Sequence, residues 1–213
     1  MVGFNRRFDP HFSSLKARLD RRDVGDLESL HIISHDPAPP PLAYVRTSGG
    51  LFKDMAIHDF DMARWLLGEE PVEVHAAASC LIDPEIGVAG DVDTAKTLLK
   101  TASGRLCVIS NSRRSGYGYD QRIEAFGSNG AIRADNLLRT SVSAWSAAGM
   151  SSDTFQNFFL DRYADAYRVE LAHFVEVIDG RAPSVTFADG VAALALAEAA
   201  ATSVRTAQPV RVA

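Results

Sequence analysis

Period-two alternation over the middle of the chain is the sequence feature that most constrains its fold. From residue 71 onward, apolar and polar side chains alternate in one segment after another, as in β-strands with one buried face. Short turn signals at Ser103-Gly104 and Ser128-Asn129-Gly130 imply antiparallel neighbours. The predicted strands are PVEVHAAASCLI (71–82), DTAKTLLKTAS (93–103), GRLCVISNSRR (104–114), YDQRIEAFGSNG (119–130), AIRADN (131–136) and RTSVSAWSA (139–147).

Helical patterns precede and follow these strands. Asp9 before Pro10 is typical of a helix start, and the apolar spacing after it predicts a helix over residues 10–22. LESLHIISHD (27–36) predicts a strand that ends at a proline-rich loop. Helices grouped around consecutive strands indicate the α+β class, with about seven strands. The other predicted elements are helices over 49–68, 158–179 and 187–207 and a strand over 209–212.

Composition excludes several classes of function. The formal charge of −5 and the dispersed basic residues indicate neither a nucleic-acid partner nor an anionic membrane surface. Cys80 and Cys107 lack the spacing of a zinc site and are predicted to be buried thiols. No leader pattern and no apolar run approaching roughly 18 residues is evident, so we expect a cytoplasmic location. No glycine-rich phosphate-binding motif follows a predicted strand.

The segment GGLFKDMAIHDFDMARWLLG (49–68) places three titratable side chains on one predicted apolar helix. At roughly 100° per residue, Asp54, His58 and Asp61 fall within about 60° of one another around the helix axis. Apolar residues occupy most of the remaining circumference, which is typical of a buried helix. The polar stripe is therefore expected to face a polar site inside the protein.

Three roles are compatible with this stripe. Asp54 and His58 lie one turn apart, so that the carboxylate would orient an imidazole acting as a general acid or base. The same spacing also occurs in local hydrogen-bonded or capping pairs. Asp54, His58 and Asp61 would alternatively provide metal ligands, although no other histidine has a spacing that ties it to this helix.

Polar residues also gather at two strand ends. SNSRRSGYGYDQR (110–122), which contains Tyr117 and Tyr119, supplies many donors and acceptors at a strand junction. It would bind a polyhydroxylated or charged ligand, or form a hairpin tip that faces water. Asp36 ends the first predicted strand, where it would either point into a cleft or begin a turn before Pro37.

Four segments together resemble the Gfo/Idh/MocA oxidoreductases, and within them the bacterial inositol 2-dehydrogenases. They are GFNRRFDPHF (3–12), SHDPAPPP (34–41), SGGLFKDMAIHDFDMARWLLG (48–68) and NSRRSGYGYDQRIEAFGSNG (111–130). The resemblance implies an open, mostly antiparallel or mixed sheet with helices on one face. It implies that Asp54 and His58 are catalytic, with His58 taking the hydroxyl proton as hydride leaves the same carbon for NAD.

The resemblance also implies that Asp36, Tyr117 and Tyr119 line a polyol pocket for a substrate such as myo-inositol. Family members begin with a Rossmann domain of roughly 120 residues, and no segment of this sequence resembles that domain. Residues 1–213 are therefore expected to form one substrate-binding and oligomerisation domain, a homo-oligomer through the open sheet face. Without the missing domain, we expect no NAD binding and no catalysis by this chain alone.

Two other functions remain open from the sequence. One is a non-enzymatic sugar-binding or assembly module that uses the open sheet as its interface. The other is a metal-dependent isomerase or hydrolase that uses Asp54, His58 and Asp61. The inositol isomer and the choice between NAD and NADP are not determined by these residues.

Overall fold

A seven-stranded sheet organises the molecule, and the computed structural model describes residues 1–212. The strands are β1 (Leu27–His35), β2 (Pro71–Ser79), β3 (Thr94–Thr101), β4 (Leu106–Ser112), β5 (Asp120–Gly127), β6 (Gly130–Ala134), β7 (Ser143–Ser146), β8 (Gly149–Ser152) and β9 (Val210–Arg211). The order across the large sheet is β6-β5-β1-β4-β3-β2-β9, and β7 and β8 form a separate two-stranded sheet.

One parallel pair makes the large sheet mixed. β1 runs parallel to β4, from Ser29 opposite Leu106 to His35 opposite Ser112. The other neighbouring strands in the described part of this sheet are antiparallel. The predicted α+β class with an open, mostly antiparallel sheet is therefore confirmed. A consequence of the parallel pair is that the chain leaves β1 and β4 at the same edge.

Helices cover one face of the sheet. They are α1 (Pro10–Asp20), α2 (Leu42–Ser48), α3 (Leu51–Asp54), α4 (Ile57–Leu67), α5 (Pro84–Val88), α6 (Phe159–Arg162), α7 (Ala164–Ile178) and α8 (Phe187–Thr206), preceded by a 3-10 turn at Asn5–Phe8. Along β3, Ala95, Thr97 and Leu99 are buried toward the helices, whereas Lys96 and Leu98 are exposed. This alternation matches the predicted period of two.

The helix predicted over residues 49–68 is broken. α3 ends at Asp54 and α4 begins at Ile57, because the amides of Met55 and Ala56 both donate to the carbonyl oxygen of Leu51, at 3.0 and 2.9 Å. Such a turn is wider than an α-helical one and shifts the residues after it around the axis. The single polar stripe predicted from a regular helix is therefore wrong.

Other segments also differ from the sequence prediction. The strand predicted over 139–147 does not join the large sheet; its residues Ser143–Ser146 form β7, which pairs with β8. The predicted helix 158–179 is divided at Tyr163. The loop before Gly49 contains α2. These differences depend on tertiary packing, which a local period does not record.

The last long helix, α8, is more apolar than expected from the absence of a long uninterrupted apolar run. By length and composition alone, α8 could cross a membrane, because the mean hydropathy over an 18-residue stretch of it is 1.4. In the structure it packs against α4 and β2 and buries Leu196, Ala197 and Ala200. Core helices of this kind meet the same composition test.

Candidate functional site

A polar cleft opens where β1 and β4 end. Its inner part is a cavity of about 230 Å³ and its outer part a cavity of about 820 Å³. Asp36, Asp54, Tyr119 and Phe159 line both parts. His58 and Arg6 line the inner part only.

Strand pairing brings two of the charged residues to this cleft. Asp36 follows β1 and Arg113 follows β4, and the amide of Asp36 donates to the carbonyl oxygen of Ser112 at 2.9 Å. Parallel strands therefore deliver both side chains to one edge of the sheet. Both residues line the outer cavity.

Asp54 is held by two neighbours, neither of which is His58. One carboxylate oxygen accepts a hydrogen bond of 2.6 Å from the hydroxyl of Tyr44. The other lies 3.2 Å from both terminal nitrogens of Arg113, whose side chain is 1% exposed. The expectation that the Asp54 carboxylate orients the His58 ring is thus wrong for this structure, although both residues line the inner cavity.

His58 is a neutral imidazole with a free nitrogen. Its Nδ1 is buried and has no hydrogen-bond partner among the described residues. Burial, together with the nearby positive charge of Arg6, lowers the pKa of His58 to about 3. The edge of the ring packs against Phe4, with ring centroids 5.7 Å apart. At neutral pH the ring is therefore uncharged, and one of its two nitrogens keeps a lone pair.

A buried ion pair forms the floor of the inner cavity. Arg6 is paired with Asp59, which is fully buried and also accepts a hydrogen bond of 2.7 Å from the side-chain amide of Asn111. The Arg6 guanidinium lies over the ring of Tyr163, 5.7 Å from its centroid. This network fixes a positive charge beside His58.

Asp36 and Tyr119 supply further polar groups to the cleft. Burial raises the pKa of Asp36 to about 6, with Arg113 and Arg6 opposing that effect. Tyr119 is 7% exposed, and its ring packs edge-on against Tyr163. A carboxyl group and a phenol in one cleft provide acceptors and donors for several ligand hydroxyls.

Tyr117 lies elsewhere, contrary to the expectation that it accompanies Tyr119. It lines a different cavity with Phe155, and its hydroxyl donates to the carboxylate of Asp120 at 2.7 Å. Gly118 between the two tyrosines has a φ of +122°, which turns the chain so that they face different cavities. The structure therefore does not bring Tyr117 to the His58 cleft.

Asp61 is also separate from the cleft. Its carboxylate accepts hydrogen bonds of 2.6 and 2.8 Å from Arg7 and lies 3.7 Å from Arg64. Within residues 1–212 no group of three or more histidine, cysteine or acidic residues is arranged to hold a metal ion. The proposed ligand set of Asp54, His58 and Asp61 is therefore not assembled.

Comparison with known proteins agrees with this arrangement. A family model described as the GFO/IDH/MocA C-terminal domain matches residues 12–133. The inositol 2-dehydrogenase of Rhizobium meliloti (strain 1021) is 51% identical over 205 residues, which are 96% of this chain and 62% of that protein. This chain belongs to the Gfo/Idh/MocA family.

Solved structures of family members have the same fold. A myo-inositol dehydrogenase from Corynebacterium glutamicum ATCC 13032 is 46% identical, with a TM-score of 0.96 over 100% of this chain and 64% of that one. A scyllo-inositol dehydrogenase from Lactobacillus casei, with bound NAD(H) and scyllo-inositol, is 27% identical, with a TM-score of 0.91 over 100% and 64%. The chain thus spans less than two thirds of each of these relatives.

The Lactobacillus casei relative binds NAD(H), and the parallel strands within residues 1–212 lack the usual cradle for the pyrophosphate of such a dinucleotide. Dinucleotides bind where a parallel strand turns through a glycine-rich loop into a helix N-terminus. Here β1 leads into the prolines at 37–41, and β4 leads through residues 113–119 into β5. The parallel strands of the described chain therefore offer no pyrophosphate cradle of this kind.

Sequence analysis missed several residues that line the cleft. Asn5 and Arg6 come from the 3-10 turn, whereas Phe159 comes from α6, Tyr167 from α7 and Tyr163 from the break between these helices. These segments are more than 150 residues apart, so no spacing rule connects them. The available signal was the Asn5-Arg6-Arg7 run within the family-like segment at 3–12, where apolar neighbours indicate buried arginines.

Proposed function

We propose that this chain is the substrate-binding and oligomerisation domain of an inositol 2-dehydrogenase that oxidises a polyol hydroxyl to a ketone with NAD. The observation that carries the proposal is the neutral His58 ring, which lines one cavity together with Asp36, Asp54 and Tyr119. The inositol dehydrogenase names of its relatives support the same substrate class.

Different side chains of the cleft bind the polyol and accept its proton. Asp36, Asp54 and Tyr119 hydrogen-bond the hydroxyl groups of the polyol and fix its orientation. His58 accepts the proton of the hydroxyl that becomes the carbonyl, because its ring is neutral at neutral pH. Arg6 lies close enough to His58 to lower its pKa, and would stabilise a developing alkoxide in the same cavity.

The hydride acceptor belongs to another part of the enzyme in this proposal. NAD is bound by a dinucleotide-binding domain outside these 213 residues, because no cradle for its pyrophosphate lies along the parallel strands described here. The isolated chain therefore binds the polyol but does not turn it over.

Calorimetric titration with myo-inositol tests the binding half of the proposal. We expect saturable binding without cofactor, weakened about tenfold or more in His58→Ala and in Asp36→Ala, because each removes a hydrogen-bonding group from the cleft. His11→Ala is the matched control, since His11 is exposed on α1 and lines neither part of the cleft. Absence of saturable heat, or equal affinity in all three variants, would refute the assigned cleft.

Absorbance of NADH tests the catalytic half. Mixing the isolated chain with myo-inositol and NAD should produce no increase at the NADH wavelength. A steady increase that scales with protein concentration would show that residues 1–213 bind the dinucleotide themselves. That result would contradict the assignment of the cofactor to another domain.

The open face of the sheet supports the oligomerisation role. Leu98 on β3 and Leu106 on β4 are each 40% exposed, and Phe126 on β5 is 51% exposed. β3 and β4 are neighbours, β5 lies one strand beyond them across β1, and all three side chains are on the side without helices. An apolar sheet face without helical cover favours contact with a second copy of the chain. Light scattering should give a multiple of the 23.0 kDa chain mass. Phe126→Arg should reduce that mass, and a monomeric wild-type chain would refute this part.

The same face favours a non-enzymatic assembly or sugar-binding module as the second candidate function. The two candidates differ in whether the chain binds myo-inositol at the cleft that contains His58. An assembly module would oligomerise without binding myo-inositol, whereas the dehydrogenase domain requires both properties. Calorimetry and light scattering on one preparation therefore distinguish them.

A further inference from the structure

Arg113 occupies an unusual position for a charged residue. Its side chain is 1% exposed, although it lies at the end of a strand beside an open cleft. The guanidinium lies 3.2 Å from the Asp54 carboxylate and 3.5 Å from the Asp91 carboxylate. One buried cation is thus shared by two acidic side chains that are 37 residues apart in the chain.

Asp91 connects this group of three charged side chains to the backbone of α3. Its other carboxylate oxygen accepts a hydrogen bond of 2.9 Å from the amide of Leu51, the first residue of α3. Gly50 has a φ of +85°, and a Cβ atom there would lie 2.8 Å from that same oxygen. The close approach of the Asp91 side chain to the backbone at this point therefore requires glycine.

We propose that Arg113 is a positioning residue for the reaction, holding Asp54 toward the polyol by tying both ends of α3 to one buried guanidinium. Asp54 terminates α3, and Asp91 accepts the hydrogen bond from the amide of Leu51 that begins it, so the two carboxylates beside Arg113 hold both ends of the turn. The role of Asp54 as a polyol ligand rests on the proposed function, whereas the tethering of α3 does not.

The charges explain why a neutral side chain would fail at this position. Without Arg113, the half-buried Asp54 and Asp91 carboxylates would lose the cation that they share, and their like charges would repel. The Tyr44 hydroxyl would still hold one oxygen of Asp54, but Tyr44 is 49% exposed and comes from α2. The geometry of the carboxylate in the cleft therefore depends chiefly on Arg113.

Amide hydrogen exchange measured by NMR tests the tethering directly and needs no ligand. In Arg113→Met we expect the Leu51 amide to exchange about tenfold faster or more, because Asp91 loses its cation and holds that amide less firmly. Arg113→Lys should restore part of the protection by keeping the charge. The matched control is Arg114→Met, since Arg114 is the exposed neighbour. Unchanged Leu51 exchange in a folded Arg113→Met would overturn the inference.

A double-mutant cycle on myo-inositol affinity tests whether Arg113 acts through Asp54. We expect Arg113→Met to weaken binding about tenfold in the wild-type background and less than about twofold when Asp54 is already alanine. Equal losses in both backgrounds would overturn the positioning role. If the wild-type chain binds no myo-inositol, the proposed function fails, and the exchange of Leu51 alone decides whether α3 is tethered.

Discussion

Replacing Arg6 by methionine is the perturbation whose size the structure determines best. Methionine matches the length of the arginine stem but removes the charge and all the donors. Asp59 would remain fully buried and retain a hydrogen bond of 2.7 Å from Asn111. The substitution therefore isolates the effect of an unpaired carboxylate in the core beneath the cleft.

The expected loss of stability follows from burial. Removing one partner of a buried ion pair destabilises proteins by about 3–5 kcal/mol, because the remaining charge is uncompensated. At about 2–4 °C per kcal/mol for a chain of this size, Tm should fall by roughly 6–20 °C. Burial already raises the pKa of Asp59, and loss of Arg6 raises it further. The loss of stability should therefore be larger at pH 8 than at pH 5.

Urea unfolding followed by circular dichroism provides the free energies. The double variant Arg6→Met/Asp59→Asn removes the stranded charge and should recover at least half of the loss. Arg133→Met is the matched control, because Arg133 is 55% exposed in its pair with Asp135 and should change stability by less than about 0.5 kcal/mol.

Two results would refute this reasoning. A loss below about 1 kcal/mol in Arg6→Met would mean that water or a rearranged donor replaces the guanidinium. A double variant as unstable as Arg6→Met would mean that the packing of the arginine stem, and not its charge, stabilises the core.

Three further predictions concern the cleft and its supports. Burial lowers the pKa of His58 to about 3, so the free energy of unfolding of the wild-type chain should fall as the pH drops from about 6.5 toward 3. In urea titrations at pH 4, this fall should exceed that of His58→Gln by up to about 3 kcal/mol. Plots of unfolding free energy against pH that are parallel for the two proteins would contradict the burial of a neutral ring. Because the Asp36 pKa is raised to about 6, myo-inositol affinity measured by calorimetry should increase as the pH rises through 6, and Asp36→Asn should abolish that dependence. Gly50→Ala should destabilise the chain by about 1–3 kcal/mol, whereas Gly116→Ala, with open space at its Cβ position, should have little effect on the urea midpoint.

Local periodicity was sufficient for most of the individual strands and for the turns between close neighbours. Alternation along β2 to β6 predicted strands, and short turns predicted antiparallel neighbours, both of which depend on residues close in sequence. The parallel pairing of β1 with β4 was not evident, because it joins segments about 77 residues apart. That pairing is nevertheless what brings Asp36 and Arg113 to one cleft.

The composition of the site was only partly predictable for the same reason. Asp36, Asp54, His58 and Tyr119 do line the cleft, but the wide turn at Met55 separates Asp61 from it and Gly118 directs Tyr117 away. Arg6, Tyr163 and Arg113 come from distant segments, and their ion pairs exist only after folding. The resemblance to the family supplied the role of His58, which spacing alone left among three alternatives.

The most direct measurement of the central claim is the rate of a chimera. Residues 1–213 would replace the matching region of the Rhizobium meliloti inositol 2-dehydrogenase, which is 51% identical over 205 residues, and NADH formation with myo-inositol would be followed. We predict turnover that falls about 100-fold or more in His58→Ala and is unchanged in the exposed control His11→Ala. A His58→Ala chimera that retains most of the rate would contradict the assignment of His58 as the proton acceptor.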